Sequence, residues 1–208
     1  MKRHVQSLVK TGSSSGGEAM DAHELKKYTS DEFFALGKFD DTLRELINGD
    51  VVALASPNIA HQRLTRNILF EIESYIRRNS GKCEVFSAPT DVKLDNINVV
   101  VPDIFIACKP ENFDKQKYNG APEFIIEIVS TNRIDDYVRK LSLYQTHGVR
   151  EYWIIDPEEE RTLRYCFINE KKADMTAYKF DEAVPVGIYS SNASPLIINI
   201  SELLKGQT

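Results

Sequence analysis

Glu127 occupies the setting in this sequence that most demands compensation. It stands in Phe124-Ile-Ile-Glu-Ile-Val129, a run otherwise apolar on both faces, as in a central strand. A carboxylate buried there costs several kcal/mol unless something offsets it. One answer is a structural salt bridge. The other is a divalent cation, which selects oxygen ligands and takes one or two protein carboxylates together with waters and a substrate phosphate. Asp103 is the candidate second ligand. It follows Pro102 inside Val99-Val-Val-Pro-Asp-Ile-Phe-Ile106, and a proline in such a run marks an edge or bend where a side chain is aimed at a site. A plain turn aspartate is the alternative reading. Asp136 and Lys140 are four apart and share a helix face, either as an exposed ion pair or with the lysine reaching back over the carboxyl end of the Glu127 strand. His61, near the start of a long helix, is a capping or surface histidine, or a phosphate contact and accessory catalytic group.

The elements that position these residues follow from punctuation and periodicity. Thr29-Ser-Asp-Glu32 starts a short helix before Phe33, Phe34 and Leu36. Residues 44–47 and 51–54 flank Asn48-Gly49-Asp50, a hairpin turn. Ser56-Pro57-Asn58 opens the longest helix, with Leu64, Ile68, Leu69, Ile72, Tyr75 and Ile76 on one stripe and Asn79-Ser80-Gly81 as its stop. Strands are predicted over 83–88, 90–94 and 98–107, the last interrupted by Pro102; residues 108–122 read as a polar loop. The 124–129 strand leads into a helix over 133–147 that Gly148 ends, then a buried strand at 152–155 closed by Asp156-Pro157. A second hairpin (161–167 with 174–180) and a late strand at 195–199 complete an α/β domain with one main sheet.

Composition bounds the function. The chain has 208 residues, 42% hydrophobic and 27% charged, enough for one well-buried domain without structural metal or disulfides. A net charge of −5 argues against a polyanion binder held by overall charge, but leaves a locally basic groove possible. Cys83, Cys108 and Cys166 form no CxxC pair and read as free thiols in a reducing compartment. Apolar runs of about six residues fall far short of the roughly 20 a membrane helix needs, so a cytoplasmic, membrane-free protein is expected. Residues 1–20, with Thr11-Gly-Ser-Ser-Ser-Gly-Gly17, have flexible-tail composition, and 21–208 form the domain. Arg63, Arg66, Arg77 and Arg78 read mainly as a solvated helix face, and Tyr144, Tyr152 and Trp153 as core. Asp156 reads as a strand-end cap in an acidic run unsuited to nucleic acid.

Val101-Pro-Asp103, Glu127-Ile-Val-Ser130, Asp136-Tyr-Val-Arg-Lys140-Leu-Ser-Leu-Tyr144 and Gly148-Val-Arg-Glu-Tyr-Trp-Ile-Ile-Asp-Pro157, in this order, resemble the Uma-two endonuclease family. That family is a branch of the PD-(D/E)xK, or restriction-endonuclease-like, superfamily. Glu45-Leu-Ile-Asn-Gly49 and the helix near His61 are also similar to it, and the resemblance spans roughly residues 27 to 200. It implies a restriction-endonuclease-like core, a central mixed β-sheet flanked by helices. It further implies Asp103 and Glu127 as ligands of Mg²⁺ (or Mn²⁺), Lys140 as the basic member, a DNA substrate and a homodimer. The chain departs from the superfamily in carrying Val129 two residues after the glutamate, where the lysine usually stands, so Lys140 is a relocated lysine. Ser130-Thr131-Asn132 is also one residue shorter than the family's Ser-Pro-Ser-Thr. On this reading the metal activates water, Lys140 orients it or offsets developing charge, and Asp136 and His61 support them. Two other readings stay open: a non-catalytic nucleic-acid-binding or interaction module on the same fold, and hydrolysis of another phosphate ester.

Overall fold

The computed structural model describes residues 26–36, 42–129 and 139–205; the predicted tail, Asp136 and the first part of the 133–147 helix lie outside them. Helix α1 (Ser30–Leu36) opens with a reciprocal cap: the Thr29 amide donates to the Glu32 carboxylate at 2.9 Å, and the Glu32 amide donates to the Thr29 hydroxyl at 3.3 Å. Strands β1 (Arg44–Ile47) and β2 (Asp50–Ala53) form the expected hairpin. Its loop residues Asn48 and Gly49 have φ of 51° and 80°, the left-handed pair that matches the twist of the strands. Helix α2 (Ile59–Arg78) is capped by the Asn58 side chain, which accepts the His61 amide at 2.8 Å. It buries Leu64, Ile68, Ile72, Tyr75 and Ile76 on one stripe, as its periodicity predicts.

The strands that follow are β3 (Glu84–Ser87), β4 (Asp91–Lys93), β5 (Val99–Val100), β6 (Ile104–Ala107), β7 (Lys117–Asn119) and β8 (Phe124–Ile128). Helix α3 (Leu141–Thr146) leads to β9 (Glu151–Asp156), the long hairpin β10 (Arg161–Asn169) and β11 (Lys172–Lys179), then β12 (Val184–Pro185), β13 (Ile197–Ile198) and α4 (Ile200–Leu204). The expectation of one main sheet is corrected. The strands form a five-stranded sheet, β2-β1-β5-β4-β7, a six-stranded sheet, β11-β10-β9-β8-β6-β3, and a two-stranded ribbon, β12-β13. The cause is Pro102, which has no amide to donate and divides the 98–107 run: β5 pairs with β1 and β4, whereas β6 pairs with β3 and β8. The 108–122 stretch is likewise more than a loop, because β7 adds to β4 in parallel. The late strand shrinks to Ile197–Ile198, and Asn199 instead caps α4 by accepting the Glu202 amide.

The six-stranded sheet is mixed, with β8 and β9 parallel and its other pairs antiparallel. All of β8 and all of β9 are buried, as both-face apolar runs require. One face packs Ile104, Phe124, Ile126 and Trp153 under the α2 stripe. The other packs Phe105, Ile125, Tyr152 and Ile154 against Tyr144 of α3 and against Val92, Val100 and Tyr118 of the five-stranded sheet. Tyr144, Tyr152 and Trp153 are core residues, as expected. Asp156 caps the turn after β9, accepting the amides of Glu158 and Glu159 at 3.1 Å. The free-thiol expectation is corrected for Cys83 and Cys108, which form a disulfide. They extend the β3–β6 pairing by one position beyond Glu84 and Ala107, which brings them face to face; Cys166 is free. Among the described residues no helix is long and apolar enough to cross a membrane.

Candidate active site

Asp103 lies where the chain crosses from the five-stranded to the six-stranded sheet. The β6–β8 register pairs Ile104 with Ile126, and continuing it by one residue brings Asp103 beside Glu127. The bend is held by the Ala88 amide, which donates to the Asp103 carbonyl at 3.3 Å. Its carboxylate is held from two sides: Oδ2 accepts the Ile128 amide at 2.7 Å and lies 3.0 Å from His61 Nε2. The first turn of α2 therefore contributes His61 as a partner of the acid. His61 does not itself cap α2: Asn58 is the cap, and it accepts the His61 backbone amide.

Glu127 is 5% exposed, and Oε1 accepts both the Lys140 ammonium at 2.9 Å and the Tyr144 hydroxyl at 2.8 Å. Lys140 is 6% exposed and sits in a wide turn, Arg139–Lys140, that leads into α3. Its Nζ also lies 3.0 Å from Oε1 of Glu45, a β1 residue only 1% exposed, and that same Glu45 oxygen accepts the Val101 amide at 2.9 Å. Burial, reinforced by the Glu127 and Glu45 carboxylates, holds the Tyr144 hydroxyl well above its ordinary pKa, so it stays a proton donor. The far end of α3 is clamped by His147, which spans the Leu143 carbonyl (2.7 Å) and Asp95 (2.9 Å).

Glu45, His61, Asp103, Glu127 and Lys140 open onto one cleft of about 400 Å³. Its polar side carries Glu45, His61, Asp103, Glu127, Arg139 and Lys140; its other wall is apolar, from Leu43, Val52, Leu54, Pro57 and Ala88. The structure thus brings together Asp103, Glu127, Lys140 and His61. Asp136 lies outside the described residues. Among the described residues no three His, Cys, Asp or Glu converge as a ready-made metal cage. Asp103 and Glu127 stand side by side in the strand register and both line the cleft, and their oxygen donors are of the kind a small hard cation selects. Such an ion prefers oxygen donors, keeps most of its waters and needs only one or two protein carboxylates.

Two members of the cluster escaped the sequence reading. Glu45 carried a signal like that of Glu127, an acid in the otherwise apolar strand end Glu45-Leu-Ile47. Tyr144 was recognised as core, yet it stands four residues after Lys140, the spacing that sets both side chains on one helix face.

The model of the Uma2 family, described as "Putative restriction endonuclease", matches residues 30–186. No curated protein matches the chain. Among solved structures, the chain is similar to that of a "putative nuclease belonging to DUF820" from Anabaena variabilis ATCC 29413. The TM-score is 0.67 at 23% identity, over 84% of this chain and 96% of that one, and the likeness is one of fold.

Proposed function

The chain belongs to the Uma2 family, and from that premise we propose that it is a metal-dependent endonuclease hydrolysing phosphodiester bonds in DNA. One observation carries the reading: a lysine from α3's leading turn stands 2.9 Å from Glu127, beside Asp103 and within the same cleft. On this reading Lys140, from a different element, serves in place of the lysine that the superfamily usually carries where Val129 stands here.

Asp103 and Glu127 are the residues that would hold Mg²⁺ or Mn²⁺; when bound, that ion supplies Lewis acidity and a water of lowered pKa. The remaining work falls to the chain. The Ile128 amide and His61 fix the Asp103 carboxylate, so its orientation is set before substrate arrives. The Lys140 ammonium offsets the negative charge that builds on the phosphate as it becomes five-coordinate. Tyr144 donates to Glu127 from a fully buried position and restricts its rotation. The supporting role that the sequence suggests for Asp136 falls on a residue outside the described ones. We assign the protein as a homodimer because cutting both strands of a duplex calls for two such sites.

A second reading, a non-catalytic nucleic-acid-binding module, is favoured by one observation: Glu127 already has an ion pair with Lys140, which satisfies its burial without any metal. One experiment separates the two. Plasmid and single-stranded DNA are incubated with the protein plus Mn²⁺ or plus EDTA, alongside Lys140→Ala and Glu127→Gln. Metal-dependent nicking lost in both variants supports the nuclease. Nicking that persists in both refutes this site, and DNA binding with no cleavage by the wild type favours the module.

A further inference from the structure

We propose that Glu45 is a positioning residue of this site, fixing the Lys140 ammonium against Glu127 and, through the same oxygen, the bend that presents Asp103; the inference rests on the nuclease reading above. Glu45 comes from β1 of the five-stranded sheet, whereas Glu127 comes from β8 of the six-stranded one. Lys140 Nζ lies between them, 3.0 Å from one carboxylate and 2.9 Å from the other. A lysine's four-carbon stem is flexible and its ammonium is a point charge without directional preference. Two carboxylates from separate sheets define its position more tightly than either would alone.

Stability alone does not call for the second acid. One carboxylate neutralises a lysine, and another buried one adds desolvation cost. What Glu45 adds is registration. Its Oε1 also accepts the Val101 amide at 2.9 Å, two residues before Asp103 and just ahead of the proline that turns the chain. One oxygen thus ties the lysine to the strand that delivers the other acid. Without that tie, the ammonium would be related to Asp103 only through β8, by its contact with Glu127 and the bond from the Ile128 amide to the Asp103 carboxylate.

The test uses the full chain with Glu45→Gln, Lys140→Met and the double variant, scored by Mn²⁺-dependent plasmid cleavage and by thermal unfolding. Glutamine keeps the acceptor for Val101 and the shape but removes the charge that holds the lysine. The expected result is a kcat lowered about 10- to 100-fold with KM for DNA unchanged within about twofold. In the Lys140→Met background, Glu45→Gln should change the residual rate less than about twofold, because the group it positions is gone. Thermal unfolding should show the same coupling: Glu45→Gln should be more favourable by about 5 °C in the Lys140→Met background than in the wild type, since it then removes a buried charge that has lost its cation. Equal, additive effects in both backgrounds, or a raised KM with kcat intact, would overturn the proposal. If the wild type cuts no DNA, the nuclease reading falls, and the melting temperatures alone decide whether Glu45 and Lys140 are coupled. If Lys140→Met does not fold, the kcat and KM of Glu45→Gln decide.

Discussion

Replacing Tyr144 by phenylalanine isolates one oxygen in the candidate site. The ring is fully buried and packs edge-on against Tyr152, with centroids 4.9 Å apart and planes at 75°, and phenylalanine preserves that packing. What is lost is the hydrogen bond to Glu127 Oε1, 2.8 Å long. A bond to a charged group contributes about 1.5–3 kcal/mol. Because Lys140 still reaches the same oxygen, the lower part of that range applies, about 1.5–2 kcal/mol, or a Tm lower by about 3–8 °C for a domain of this size. The pH dependence is more discriminating. Tyr144 titrates above its ordinary value when folded, owing to burial and then to the Glu127 and Glu45 carboxylates. The unfolded chain therefore ionises first, near pH 10. The stabilisation from this hydroxyl is complete below that pH and is lost as pH rises towards the folded value, at up to about 1.4 kcal/mol per unit. The other tyrosines are common to both proteins and cancel. Urea titrations of wild type and Tyr144→Phe at intervals from pH 8 to 11.5 should show a gap that is constant to about pH 10 and closes by about pH 11.5. A gap absent at pH 8, or one that holds or widens above pH 10, would refute a buried Tyr144 proton donated to Glu127.

Three further outcomes are expected. Tyr189 has a buried hydroxyl with no hydrogen-bond partner among the described residues, and burial first, then Tyr75 and Glu123, push its pKa up to about 12. Tyr189→Phe should therefore be neutral or stabilising by up to about 1 kcal/mol at pH 8, the opposite of Tyr144→Phe, as read by urea midpoint. Gly187→Ala should destabilise by about 1–3 kcal/mol. Its Cβ would stand 2.8 Å from Glu151 Oε2, whose carboxylate is pinned by Trp153, Arg164 and the Ile188 amide; an unchanged midpoint would refute the fit. Cleaving the Cys83–Cys108 link, which closes a loop of sequence separation 25, should remove about 3 kcal/mol of stability, seen as a lower Tm with reductant and no such drop in Cys83→Ser/Cys108→Ser.

Local chemistry made much of the fold legible. The Asn58 cap, the Asn48-Gly49 turn and the both-face apolar runs of β8 and β9 each state their structure in neighbouring residues. Pairing across distance was not so written. Pro102 announces a break, but not that the two halves join different sheets, and the β3–β6 register that sets Cys83 against Cys108 is a long-range choice. The site divides in the same way. Asp103, Glu127 and Lys140 were visible from residue type and order, and the structure gathers them in one cleft. His61 was legible as a helix-start residue, yet the direction of its ring towards Asp103 depends on how α2 lies on the sheet. Glu45 showed as an acid in an apolar strand end, but its partners, Val101 and Lys140, are far along the chain and reach it only through tertiary packing.

The order in which the cluster is strung along the chain bears on how it is made. Glu45, Asp103 and Glu127 all precede Lys140 in the chain, and the lysine pairs with the first and the last of them. Lys140 meets Glu127 across 13 residues of chain and Glu45 across 95, and the two acids lie on different sheets, so this double ion pair forms only once both sheets are in place.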